Sequence, residues 1–226
     1  NMAARDLNFN GVNIVSNNAS NGNTHGFIVG NTKDLGNGVT VGAGIGLLTS
    51  NTTSTDGSAD ANTKIVNLNG KKKVGGGTVS VDLTHARMDL TASRTIGDFS
   101  NAGTTSGTDI SISARFVADG EKVRPVFGYT RGQTAVNSYT ETGSIQSART
   151  VADATDYYGY ATIGAQVSLA SGLEAQALRY TDGVNSLSLD LDNEWEENKS
   201  TTLSVERLFS NIGNTTKISL VYNIKF

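Results

Sequence analysis

The sequence predicts an all-β protein, a closed antiparallel transmembrane β-barrel of about twelve strands. Three observations predict it. The composition suits short strands and many turns: 26 Gly, one Pro and no Cys in 226 residues, with Val, Ile and Thr prominent and Asn and Ser abundant. Several segments alternate strictly between apolar and polar side chains, the period of a strand with two different environments. The chain also stops on such a segment. From Lys217 to Phe226, Ile218, Leu220, Tyr222, Ile224 and Phe226 occupy one face, and Lys217, Ser219, Val221, Asn223 and Lys225 the other. A soluble sheet rarely finishes on an exposed apolar edge, whereas a closed barrel pairs its last strand with its first.

Composition also excludes. No stretch approaches the ~18 consecutive apolar residues of a membrane helix. Barrel strands put only every second residue into lipid, so low overall hydropathy is compatible with insertion. A net charge of −3 and a single cationic run, Lys71 to Lys73, argue against a nucleic-acid partner. Without Cys there is neither a disulfide framework nor a thiolate metal site. No signal-peptide pattern precedes Ala3, from which a mature or truncated product is expected.

The elements follow in order, at an average of about 19 residues per strand and connection. Strands are expected at Leu7 to Val15, Thr24 to Thr32, Val39 to Ser50, Thr63 to Gly70, Thr78 to Arg94 and Thr108 to Val117. The second half adds Lys122 to Gln133, Asp156 to Leu169, Leu173 to Tyr180, Val184 to Trp195, Thr201 to Phe209 and Thr215 to Phe226. In the third strand Val39, Val41, Ala43, Ile45 and Leu47 oppose Thr40, Gly42, Gly44 and Gly46. In the sixth, Ile110, Ile112, Ala114 and Phe116 oppose Asp109, Ser111, Ser113 and Arg115. In the tenth, Leu187, Leu189 and Leu191 oppose Ser188, Asp190 and Asp192, which sends carboxylates to a wet lumen and leucines to lipid. A soluble sandwich would instead turn the leucines inward, and periodicity alone does not separate the two.

The connections separate them better. Ser16 to Asn23 reads as long, Asp34 to Gly38 as short, Asn51 to Asn62 as long and Lys71 to Gly77 as short. Thr95 to Gly107 is long, Ala118 to Glu121 short, Thr134 to Thr155 very long and Ala170 to Gly172 short, after which the connections are all short. Longer extracellular loops alternating with short periplasmic turns are the asymmetry of outer-membrane barrels. An even strand number then places both barrel ends in the periplasm.

Two stretches carry a family resemblance. Gly26-Phe27-Ile28-Val29-Gly30, Leu35-Gly36-Asn37-Gly38 and Val39 to Gly46 resemble a strand, turn and Gly-rich strand of the β-domain of bacterial autotransporters, the type V secretion translocators. Val123-Arg124-Pro125-Val126-Phe127-Gly128-Tyr129-Thr130-Arg131 followed by Tyr139-Thr140-Glu141-Thr142-Gly143 resembles that family's Arg-Pro strand and the Tyr-x-Glu-x-Gly loop after it. The strand ending in Phe226 completes a likeness that covers essentially the full chain. The resemblance implies a twelve-stranded outer-membrane barrel that anchors and exports an N-terminal passenger, in Gram-negative bacteria, through or alongside its lumen. It implies further partners: the lipid bilayer, the outer-membrane barrel assembly machinery and periplasmic chaperones. The barrel is expected as a monomer without cofactor. Residues 1–6 are expected as a remnant of the lumenal linker and 7–226 as the barrel. The linker helix is nearly absent here, with only Met2 to Arg5 helix-compatible. Aromatics at 7% are thin for two girdles, although Trp195, Tyr222 and Phe226 suit the periplasmic one. Some members cleave themselves between two Asn residues in the pore, and Asn1 fits such a product.

Arg115, Arg124, Asp190 and Glu206 fall on expected lumen faces and are candidate contacts to the linker; the competing reading is a solvated wall of paired charges. Tyr222, Ile224 and Phe226 form the candidate assembly signal. Tyr139, Glu141 and Gly143 form the loop motif, with Glu141 either acting near the pore mouth or stabilising a turn. His25 and His85 lack a local hydrolase signature, and satisfied or solvent-facing histidines are expected. Gly75 to Gly77 lacks the helix and Lys of a phosphate loop, and Asp56 to Asp60 lacks calcium-loop spacing, so no metal and no catalytic residue are expected. The reading alternative to a translocator is a passive outer-membrane pore or structural barrel without passenger.

Overall fold

The computed structural model describes residues 11–19, 21–144, 148–196, 199–211 and 213–224. Fifteen strands follow one another: β1 (Gly11–Ala19), β2 (Gly22–Gly36), β3 (Val39–Ser54), β4 (Gly57–Val74), β5 (Gly77–Ile96), β6 (Phe99–Ala118), β7 (Val123–Val136), β8 (Tyr139–Thr140), β9 (Thr142–Gly143), β10 (Thr150–Val151), β11 (Ala154–Ala170), β12 (Leu173–Tyr180), β13 (Asn185–Glu196), β14 (Lys199–Ser210) and β15 (Gly213–Ile224). Strands β8, β9 and β10 are two residues each and belong to one connection. The other twelve pair antiparallel with their sequence neighbours, and β1 pairs with β15 from Gly11↔Asn223 to Ala19↔Thr215, so the sheet closes on itself.

Burial is inverted relative to a soluble core. Ile45 is 64% exposed and Leu189 51%, whereas Asn67 is 0% and Ser186 1% exposed. Apolar side chains on the outer wall and polar ones on the inner wall are what a barrel in lipid requires, and this decides against the sandwich. The outward run Val39, Val41, Ala43, Ile45, Leu47 rises about 20 Å along a tilted strand, close to the height of a membrane band. The alternation expected in the third, sixth, tenth and last strands is the alternation observed in β3, β6, β13 and β15.

Three expected loops are strand instead. Most of Ser16 to Asn23, Asn51 to Asn62 and Thr95 to Gly107 continues the ladders, and the turns shrink to two residues, as at Thr55-Asp56 and Gly97-Asp98. Their Thr-, Ser- and Asn-rich composition reads as loop because no face meets lipid, which removes the period-two signal. Cross-strand hydrogen bonds hold them, including Asn51 Nδ2 to Asp60 Oδ1 at 2.6 Å and the shared bond of Ser58 and Ser93 hydroxyls at 2.9 Å. The strands β3 to β6 therefore project beyond the apolar band. The one long connection among the described residues runs from β7 to β11. The expected tight turn at Asp34 to Gly38 is built on Asn37 (φ 55°) and Gly38 (φ 70°), the pair of positive φ angles of a two-residue hairpin turn. The expected first strand from Leu7 lies partly, and the residue 1–6 remnant and Phe226 lie wholly, outside the described residues.

Candidate functional site

Parity builds the lumen wall. β13 turns Ser186, Ser188 and Asp190 inward between outward leucines, and β14 turns Ser204 and Glu206 inward between Leu203, Val205 and Arg207. β6 contributes Arg115, β12 Glu174 and Gln176, and β15 Lys217 and Ser219. Asp190, Ser204, Glu206, Arg115, Glu174, Gln176, Lys217 and Ser219, together with Asn13 and Asp192, line a cavity of about 360 Å³ inside the ring. Three of the four residues expected in the lumen, Arg115, Asp190 and Glu206, share this cavity, and the fourth, Arg124, forms an ion pair with Glu174 on its wall. Asp192, expected on the lumen face with Asp190, lines it too; Glu174 was not singled out by sequence, although the alternation that turns Leu173, Ala175 and Ala177 outward would have turned it inward.

The wall is a hydrogen-bonded polar surface. Ser186 donates to Glu206 Oε1 at 2.5 Å, and Ser219 donates to Asn13 Oδ1 at 2.7 Å. Glu206 stands opposite Lys217 in the ladder. Arg115 Nε and one of its terminal nitrogens are buried without a hydrogen-bond partner among the described residues. A buried guanidinium needs counter-charge, and Glu174, Asp190, Asp192 and Glu206 line the same cavity. Around this cavity such a wall hydrates a pore and offers donors and acceptors to an extended chain. Two small apolar clusters on the inner face are exceptions: Val126, Tyr160, Leu178 and Tyr180, with Tyr160 and Tyr180 edge to face at 5.5 Å, and Leu48, Ile65 and Ala86.

The loop motif forms a second site, at the end opposite the termini. Arg94, on the inner face of the projecting part of β5, grips Glu141 through Nε to Oε1 at 3.1 Å and Nη2 to Oε2 at 2.5 Å. The Arg149 amide donates to Oε2 at 3.2 Å, and the Glu141 amide donates to the Arg149 carbonyl at 2.9 Å. Arg94 donating to it holds the Glu141 carboxyl below its ordinary range, and Glu141 in turn raises Arg94. Tyr139 lies over Gly103, where a Cβ would come within 2.4 Å of the ring. β9 pairs with the rim of β6 through Ala102↔Thr142 and Asn101↔Gly143. All three motif residues thus fasten the long connection to the projecting sheet. Arg94 was invisible as their partner because it lies 47 residues away in sequence.

The outer wall carries the remaining candidates. Tyr222 and Ile224 face outward, and Tyr222 packs against Trp195 with ring centroids 5.7 Å apart at the end that holds the termini. His25 faces outward opposite Ser16 without a hydrogen bond to it, and His85 stands between Val66 and Ile110 on the outer wall. Neither reaches the lumen cavity, so no Ser-His or Asp-His pair forms there.

The autotransporter β-domain family model matches residues 11–218. The fold is similar to the translocator domain of the autotransporter NalP from Neisseria meningitidis, with a TM-score of 0.82 at 16% identity, over 98% of this chain and 90% of that one. It is similar to the β-domain of the Bordetella autotransporter BrkA, with a TM-score of 0.68 at 16% identity, over 95% of this chain and 98% of that one. A monoaromatic hydrocarbon channel, CymD, aligns less closely, with a TM-score of 0.50 at 11% identity over 96% and 89%. No curated protein matches in sequence. With the family pattern running through nearly every strand of a closed, polar-lined ring, the chain belongs to the autotransporter β-domain family, the outer-membrane translocators of passenger domains.

Proposed function

We propose that the lumen described above is the path or the resting place of the segment joining the barrel to its own N-terminal passenger. The observation that carries this reading is the polar and charged stretch of inner wall that faces a cavity of about 360 Å³. A threaded backbone must trade hydrogen bonds with water for hydrogen bonds with a wall, and a wall of Ser, Thr, Asn and carboxylates permits that exchange at little cost. Arg115, Arg124, Asp190 and Glu206 are the contacts assigned to the linker. Residues 1–6 belong to that linker and 7–226 to the barrel. The chain stands as a monomer with both ends in the periplasm and the projecting hairpins outside the cell. Tyr222, Ile224 and Phe226 form the signal read by the barrel assembly machinery after delivery by periplasmic chaperones. Translocator domains are generally not enzymes; the one covalent event in this reading is cleavage of the linker at Asn1.

The test is export of an upstream passenger carrying a surface-accessible tag. Charge reversal at both Arg115 and Asp190 should slow its appearance on the cell surface while heat-modifiable, folded barrel persists. Unchanged export would return these residues to the role of a solvated wall. A barrel that displays no passenger but conducts ions steadily in planar bilayers would support the passive pore. Sequencing the N-terminus of the membrane-bound product checks cleavage at Asn1.

A further inference from the structure

On five strands the outward apolar run, followed toward the projecting end, is succeeded by an exposed cation. β4 reads Leu68, Val66, Lys64; β5 reads Val81, Leu83, His85, Arg87; β7 reads Phe127, Tyr129, Arg131; β12 reads Ala175, Ala177, Arg179; and β14 reads Leu203, Val205, Arg207. Four of the five are arginines. At the opposite border the outward cations on these strands and on β2 are lysines, Lys33, Lys72 and Lys199, and Lys199 is paired with Glu196 at 2.6 Å.

Among the described residues the cations at the projecting border form no ion pair. Lys64 and Arg87 stand directly opposite one another in the ladder, an arrangement that like charges disfavour. Neither forms an ion pair among the described residues, and Asp89 and Asp60, outward on the same two strands, lie further from the apolar band. Arg207 is held over the Phe209 ring at 5.6 Å, which orients a guanidinium without neutralising it. An arginine presents a planar fork of donors that matches phosphate oxygens two at a time, which a lysine does not.

We infer that this collar, centred on the Lys64–Arg87 pair, binds the phosphate groups of lipid headgroups in the leaflet on the projecting side. The inference rests on the outer-membrane reading, because the apolar band fixes the collar at headgroup depth. The uncompensated pair supplies two cations to one phosphomonoester, and Arg131, Arg179 and Arg207 repeat the interaction singly around the wall. The lysines of the opposite border give that leaflet charge attraction without the forked geometry.

The experiment reconstitutes the whole chain in phosphatidylcholine nanodiscs doped with a minor fraction of phosphatidic acid, which carries a phosphomonoester, or of phosphatidylserine, which is anionic without one. Native mass spectrometry reads the lipid retained on the barrel. Phosphatidic acid should be enriched over phosphatidylserine, and Lys64→Ser with Arg87→Ser should lower its retention by roughly thirtyfold, the effect of two interfacial cations. Lys33→Ser with Lys72→Ser should leave the preference in place. Equal retention of the two lipids, or unchanged retention in the Lys64/Arg87 variant, overturns the inference. Insertion into undoped discs, followed by heat modifiability, is scored separately: failure there counts against the membrane barrel, and insertion without lipid preference counts against the collar alone.

Discussion

At the scale of single residues, Glu141 governs the rim. Its carboxylate joins Arg94 of the projecting sheet to Arg149 of the long connection, so one side chain ties three segments. Replacing Glu141 with Gln keeps the shape and removes the charge; hydrogen exchange over 137–144 and 148–153 should then quicken while the barrel strands keep their protection. Acid should have the same effect. The folded carboxyl titrates below its unfolded value, so its contribution is complete above the ordinary range near ~4.3 and is lost as pH falls through the lower folded value. Lower protection confined to this connection at acid pH in the native chain, measured against the intrinsic exchange rate at each pH, and no further loss in Glu141→Gln, is the expected result. The motif around Glu141 was legible in the sequence because three spaced residues carry it. Its partner was not, since a contact across 47 residues leaves no local trace.

At the scale of strands, parity is the governing variable. Leu203 and Ser204 are neighbours in β14, one outward between Leu191 and Leu220 and one inward on the lumen cavity. An arginine at Leu203 meets hydrocarbon and should cost about 2 to 4 kcal/mol in a bilayer, whereas an arginine at Ser204 meets the wet lumen and should cost far less. Urea unfolding of the two variants in liposomes measures the difference. Similarly, Tyr222→Ser with Ile224→Ser strips two outward side chains from the terminal strand and should reduce the fraction of heat-modifiable, inserted barrel in cells. Strand periodicity was legible wherever one face touches lipid. It vanished in the projecting halves of β3 to β6, where both faces meet water and Thr, Ser and Asn hold the ladder through cross-strand hydrogen bonds. The sequence therefore marks the membrane band more clearly than it marks the strands themselves.

At the scale of the whole molecule, the ring and its lining set transport. Carboxylates at Glu174, Asp190, Asp192 and Glu206 outnumber the cations Arg115 and Lys217 around the lumen cavity. Whatever ion leak the barrel sustains should favour cations, and the reversal potential under a salt gradient should shift toward anions in Asp190→Lys with Asp192→Lys. A leak without cation preference would show that the lumen wall does not control permeation. Ring closure itself was foreseen from the alternating final strand, and the lining from parity. The projection of β3 to β6 and the fastening of the long connection to it were not, because both depend on polar ladders and distant side-chain pairs.

The seam between β1 and β15 joins Asn13 to Ser219 across 206 positions of the chain. Apart from β7 with β11, which the long connection joins, every other barrel ladder links strands adjacent in sequence, so each can zip as soon as its hairpin exists. The seam must wait for the final residues. Until they arrive the growing sheet carries two unpaired edges, and bare edges recruit any strand offered to them. The long-range closure thus acts as a completeness check written into topology: a chain that loses its last strand stays an open ribbon, unable to seal and marked by its own free edges for removal.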